Sequence, residues 1–131
     1  TEIYNYYITN SVVTFDLDEM SVKEWEAKFH WIQGLALPFL VAESESGQIL
    51  GFAYVAPWRQ KAAYRRTVED SIYLRPAAIG KKIGTKLLDQ LMTKSKAAGV
   101  KEIVRPLPCH LGKVGFKFGR WLGTVLLQKS L

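Results

Sequence analysis

Segments with helical periodicity alternate with strand-like segments along this chain of 131 residues. That alternation predicts an α/β fold, an α+β arrangement of helices layered on a mixed sheet. Three features carry the prediction. A capped amphipathic helix follows Ser21, two strand-like runs flank a small polar loop, and a strand from Thr67 leads through a glycine-containing loop into another amphipathic helix.

Taken in order, Ile3 and Tyr7 stand four apart with Tyr6 beside them, which predicts a short helix over Glu2 to Asn10. Val12-Val13-Thr14-Phe15 then supplies a β-branched and aromatic strand signal. Ser21 and Glu24 have the spacing of a capping box, and Val22, Trp25, Phe29 and Ile32 follow at steps of three and four until Gly34 stops the pattern. Phe39 to Glu43 and Ile49 to Trp58 read as antiparallel strands joined by Ser44-Glu45-Ser46-Gly47-Gln48. From Thr67 to Leu74, Val68, Ile72 and Leu74 share one face and Glu69, Ser71 and Tyr73 the other, with Pro76 closing the run. Ile83, Leu87, Leu88, Leu91 and Met92 predict a helix over Lys82 to Ala98, ended by Gly99. Lys101 to Arg105 reads as a short strand broken by Pro106-Leu107-Pro108, and Val114 to Lys129 as two strands with Gly119 near their bend. The expected order is helix, strand, helix, three strands, helix and three strands.

Composition bounds the function. With 48% apolar and 23% charged residues, residues 1–131 are expected to form a single domain, burying about two-thirds of the unfolded chain's surface. A lone cysteine, Cys109, cannot make an internal disulfide, which favours a reducing, cytoplasmic setting. No apolar run approaches the ~18 residues that span a bilayer, and no signal-peptide pattern opens the chain. Thr1-Glu2-Ile3-Tyr4 begins inside a helical pattern without methionine, so an upstream segment is expected. A net charge of +6 favours an anionic partner: nucleic acid, a membrane surface or a phosphorylated cofactor. Two histidines and one cysteine show no ligand spacing, and no metal is expected.

The segment from Glu69 to Thr85 is the most informative. It passes from a strand through Arg75-Pro76-Ala77-Ala78-Ile79-Gly80-Lys81 into a helix start at Lys82-Ile83-Gly84-Thr85. N–H groups of a first helical turn lack helical acceptors, so such a turn can hold a pyrophosphate, and Lys81, Lys82 and Lys86 add positive charge. This unit resembles the acyl-CoA loop of the Gcn5-related N-acetyltransferase (GNAT) superfamily, Gln/Arg-x-x-Gly-x-Gly/Ala after a strand. Ile79 stands at the Gln/Arg position and Lys82 at the first pattern glycine, while Gly80 and Gly84 remain. A glycine needed there for positive φ would make Lys82 a source of strain. Thr14-Phe15, Pro38-Phe39-Leu40-Val41-Ala42, Gly51 to Arg59, Ala63 to Tyr73 and Val114 to Trp121 together resemble the phosphinothricin acetyltransferase branch.

The resemblance implies a mixed-sheet acyl-CoA N-acyltransferase fold, acetyl-CoA as cosubstrate, a small-molecule primary amine as acceptor and a homodimer, with neither nucleic acid nor membrane as partner. It implies Glu69 as general base, Ile72, Tyr73 and Leu74 along the pantetheine arm, and Gly80, Lys81, Lys82, Ile83, Gly84 and Thr85 at the pyrophosphate. Phe15, Tyr64 and Arg65 fall on the acceptor side, where Arg65 could hold a carboxylate through paired donors. Read from spacing alone, Glu69 is as well explained as a strand carboxylate paired with Arg65 or Arg66, Ile72 and Leu74 as core, and Cys109 as an inert thiol. The family's first strand and a late helix are lacking, and the eight residues Pro106 to Lys113 are too few for that helix at ~1.5 Å per residue. Either the chain is a shortened member, or an interior segment around residues 105–113 is missing; the second is expected because the flanks keep the pattern. The family histidine belongs to that helix, and its role is not transferred to His110. Two other functions compete: a degenerate acyl-CoA-binding relative without catalysis, and a basic nucleic-acid module using Trp58-Arg59-Gln60-Lys61 and Phe116 to Trp121.

Overall fold

The computed structural model of the chain describes residues 1–109 and 114–131. Helices α1 (Glu2–Asn10), α2 (Val22–Gly34) and α3 (Ile83–Ala97) pack on a six-stranded sheet of β1 (Phe39–Glu43), β2 (Ile49–Pro57), β3 (Thr67–Leu74), β4 (Glu102–Cys109), β5 (Gly115–Lys117) and β6 (Arg120–Ser130). The strand order is β1-β2-β3-β4-β6-β5, antiparallel except where β3 meets β4.

The local signals are met where they were strongest. Ser21 and Glu24 form the reciprocal capping box of α2, the Ser21 N–H donating to the Glu24 carboxylate at 2.7 Å. β5 and β6 are joined by two residues, Phe118 (φ 52) and Gly119 (φ 71). Positive φ at both matches the turn that suits strand twist in a hairpin. Alternation along β2 divides the core in two. Phe52 and Tyr54 face α1 and α2, where Trp25 meets Tyr4, Phe52 and Tyr54 edge-on at 5.1, 5.3 and 6.0 Å. Ala53 and Val55 face the other way, against Leu87 and Leu91 of α3 with Val68 and Ile103.

Two expectations are corrected. Val12 to Phe15 is not a strand: residues 11–20 form an irregular connection between α1 and α2. Side chains tie it down instead, the Tyr4 hydroxyl bonding Thr14 Oγ1 at 3.0 Å and the buried Lys117 ammonium donating to the Thr14 carbonyl at 2.9 Å. β-branched residues favour strand only where a neighbouring strand is available to pair. The second correction concerns β4, which runs through Pro106 and Pro108 to Cys109. Its pairing with β3 covers only Thr67↔Glu102, Val68↔Ile103 and Glu69↔Val104, whereas its pairing with β6 continues to Cys109↔Gly123. The prolines therefore stand where the strand has one hydrogen-bonded neighbour, and their missing N–H groups lie on one side.

Beyond Glu69, β3 and β4 part. Asp70, on the α3 face of β3 and only 4% exposed, accepts from the Nε of Arg105 at 3.0 Å and from its Nη2. The pair bridges the strands where their ladder ends. At the other end of β3, Lys82 caps α3 in the left-handed region at φ 62 with no side-chain cap bond, so the position does require positive φ.

Two predictions follow from these positions. Lys82→Gly relieves left-handed strain of about 1 kcal/mol, read as a higher urea midpoint; an unchanged or lower midpoint contradicts it. Arg105→Met leaves the Asp70 carboxylate buried and unpaired and destabilises by about 3 kcal/mol, whereas adding Asp70→Leu recovers most of the loss. Equal unfolding curves for the single and double variants would disprove the second.

Candidate functional site

The parted ends of β3 and β4 open a cleft of about 710 Å³, closed on one side by α1 and the connection through Thr14, Phe15 and Asp16. Glu69, Ser71 and Tyr73 of β3 share the face toward α1 and α2, while Ile72 and Leu74 turn toward α3; all five reach the cleft. Across from them stand Arg105, Pro106 and Leu107 of β4, and Lys28 of α2 and Tyr54 of β2 complete the inner end.

Burial pushes the half-buried Glu69 carboxyl above the ordinary glutamate range; the Lys28 charge opposes the shift and the Asp70 charge adds to it. A carboxylate raised in this way accepts a proton more readily near neutral pH. The Glu69 carboxylate makes no ion pair or hydrogen bond among the described residues, so the expected alternative of a pair with Arg65 or Arg66 does not form. Burial also pushes the Tyr73 and Tyr4 phenols up, the bond from the Tyr4 hydroxyl to Asp16 adding to the Tyr4 shift, and both remain protonated. The Tyr7 hydroxyl donates to the Leu74 carbonyl at 2.6 Å, fixing the far end of the strand.

The sequence-predicted residues divide. Phe15, Glu69, Ile72, Tyr73 and Leu74 come together in the cleft. Phe15 lies so close to β5 that a Cβ on Gly115 would meet its ring carbons at 3.1 Å. Gly80 to Thr85 form the turn into α3 next to Ile79, which lines the cleft. Gly84 lets the helix approach β3, since a Cβ there would stand 3.3 Å from Leu74 Cδ1. The first backbone bond of α3 runs from the Lys86 N–H to the Lys82 carbonyl, and among the described residues the N–H groups of Ile83, Gly84 and Thr85 have no acceptor. That turn, flanked by exposed Lys81, Lys82 and Lys86, fits an anionic pyrophosphate. Tyr64 and Arg65 lie at the short 3-10 turn Ala62–Tyr64 before β3, exposed and outside the cleft lining. His110 lies outside the described residues.

Tyr4, Tyr7, Asp16, Lys28, Asp70 and Arg105 were not singled out from sequence, yet all line the cleft. Asp70 carried a signal: it shares the strand face of Val68, Ile72 and Leu74, where a charge demands a buried partner. Lys28 carried a weaker one, three residues after the core Trp25 and so on the same helical side.

No helix among the described residues is long and apolar enough to cross a membrane. Among the same residues no cluster of three or more His, Cys, Asp or Glu side chains could hold a metal ion. The family model described as the acetyltransferase (GNAT) family matches residues 2–110. Phosphinothricin N-acetyltransferase of Alcaligenes faecalis is 33% identical over 150 aligned positions, covering all of this chain and 76% of that protein. L-methionine sulfoximine/L-methionine sulfone acetyltransferase of Salmonella typhimurium is 30% identical, covering all of this chain and 86% of that protein. Both alignments are longer than this chain, so each relative has residues without a counterpart here. The crystal structure of a GNAT superfamily phosphinothricin acetyltransferase from Sinorhizobium meliloti in complex with acetyl-CoA superposes with a TM-score of 0.94 at 36% identity, over all of this chain and 80% of that one. By its sheet, its cleft and these matches, the chain belongs to the acetyltransferase (GNAT) family.

Proposed function

We propose that this protein transfers the acetyl group of acetyl-CoA to the primary amine of a small amino acid or amino-acid analogue, with Glu69 as the general base. The observation that carries the reading is the position of Glu69, half-buried and unpaired at the point where β3 and β4 separate, with its pKa raised by burial. Relatives named as phosphinothricin and methionine sulfoximine acetyltransferases support the acceptor class. The related structure in complex with acetyl-CoA supports the cosubstrate.

Acetyl-CoA supplies the activated acetyl thioester; the chain supplies the surroundings. Glu69 takes a proton from the acceptor ammonium, directly or through one water, and frees the nitrogen lone pair. That nitrogen bonds to the carbonyl carbon, the carbon–sulfur bond breaks with its electron pair leaving on sulfur, and the second nitrogen proton passes to that sulfur, giving the neutral amide and CoA thiol. Among the described residues β3 from Asp70 to Leu74 has no strand beside it on the β4 side, and its backbone groups there suit the amides of the pantetheine arm. Gly80 to Thr85 and the neighbouring lysines hold the phosphates, Lys82 reproducing the backbone of a pattern glycine at φ 62. Tyr64 and Arg65 would reach an acceptor only from outside the cleft.

The nucleic-acid alternative is weakened by Lys117, which is 4% exposed and bonded to a backbone carbonyl. A cytoplasmic site of action agrees with the lone cysteine. Self-association has its own observation. Phe116, Trp121, Val125 and Leu127 share the α3 face of the sheet beyond α3, where they are 56%, 56%, 39% and 51% exposed. A continuous apolar stripe of this kind marks an interface, and it can pair with itself about a two-fold axis.

Glu69→Gln lowers kcat by about 100-fold or more while the protein still melts at a higher temperature with acetyl-CoA. In the parent, kcat/KM rises with pH through a step above the ordinary glutamate value of ~4.3 as the base ionises, and the variant lacks that step. Full activity of the variant across the pH profile removes Glu69 from the role. Light scattering gives twice the 14.9 kDa of one chain, reduced to one chain by Trp121→Lys with Leu127→Lys; a parent that is monomeric at all concentrations refutes the dimer.

A further inference from the structure

Five charged side chains line the cleft: Asp16, Lys28, Glu69, Asp70 and Arg105. Three of them are engaged. Asp70 and Arg105 neutralise each other, and Asp16 accepts from the Tyr4 hydroxyl. Lys28 and Glu69 remain, opposite in sign, and among the described residues neither makes a salt bridge or a side-chain hydrogen bond. The Lys28 ammonium is nevertheless held in place. It stands 5.0 Å from the centre of the Trp25 ring and 4.8 Å from that of Tyr54, two rings fixed in the aromatic core. Tyr54 and Glu69 belong to adjacent strands and share a sheet face, since Tyr54 pairs with Ser71 and Ala56 with Glu69.

A positioned cation and a positioned carboxylate that leave each other unpaired are complementary to a zwitterion. We propose that Lys28 binds the carboxylate of the acceptor while Glu69 faces its amine, so that an α-amino acid lies between them. The inference rests on the acetyl-transfer reading and deepens it, since it selects acceptors with a free carboxylate next to the amine. It also moves that task from the exposed Arg65, outside the cleft, to a side chain inside it. Lys28 and Glu69 line the same cleft, on elements that share one face of the sheet.

L-methionine sulfone and its carboxamide, which lacks the carboxylate charge, separate the outcomes. In steady-state assays Lys28→Met raises KM for the amino acid about tenfold or more, with the KM for acetyl-CoA little changed. KM for the carboxamide does not change, and Lys28→Arg recovers part of the preference. Calorimetric titration of both compounds into the CoA-loaded protein reads the same discrimination without turnover. Should the parent bind the amino acid better than the carboxamide and Lys28→Met abolish the difference, while no acetylation occurs, the inference stands and the acetyl-transfer reading falls. The proposal is overturned if Lys28→Met keeps the parent's preference for the carboxylate. It is equally overturned if the parent binds the two compounds alike or binds neither.

Discussion

The parting of β3 from β4 is the constraint on which the site depends. Two adjacent parallel strands would ordinarily continue their ladder, and here three paired positions are followed by separation. The sequence of β4 makes the continuation unfavourable. Arg105 spends its guanidinium on the buried Asp70, and Pro106 and Pro108 have no N–H to offer a neighbour. β6 keeps β4 in place from the other side through Cys109, so the strand diverges without losing its sheet. The resulting gap exposes backbone along β3 and sets Glu69 at its apex. A carboxylate at this point is carried by a strand with neighbours on both sides over its first half.

The remaining walls of the cleft have different origins, and this explains why they differ in character. On one side the aromatic core around Trp25 is continuous with Tyr4, Tyr54 and Tyr73, so that wall is a packed surface with a few polar tips. Above it, residues 11–20 pair with no strand among the described residues and are tied down at Thr14, whose hydroxyl bonds the Tyr4 hydroxyl and whose carbonyl accepts from the buried Lys117 ammonium. Burial lowers the Lys117 pKa, and the nearby Asp16 charge works against the shift. The β5–β6 hairpin therefore supports the Thr14 wall of the cleft from more than 100 residues away in sequence.

Much of this was legible in the chain, because local physics decided it. The capping box of α2, the alternation that puts Glu69 opposite Ile72, and the two-residue bend at Gly119 depend on neighbours within a few positions. What was missed depends on partners distant in sequence. Val12 to Phe15 had the composition of a strand and no strand to join. Pro106 and Pro108 had the composition of a break and a partner, β6, that carries the strand through them. Lys28 and Arg105 gained their place in the cleft from packing that spacing does not encode. Lys82 is an intermediate case. The family pattern implied a demand for positive φ, and the backbone meets that demand with a lysine.

The charges at the cleft show how such a fold separates structure from chemistry. Asp70 and Glu69 are neighbours in sequence, and alternation sends them to opposite faces of one strand. The inward one is silenced by Arg105 and holds the strands at their point of divergence. The other meets no cation at contact distance, because Lys28, the cation whose charge it feels, is held over aromatic rings. A salt bridge between them would have lowered the pKa of Glu69 and filled the space an acceptor needs. Holding the lysine by ring quadrupoles keeps a positive charge in the cleft without an ion pair to Glu69. The aromatic core thus holds Lys28 where it faces the cleft without pairing with Glu69.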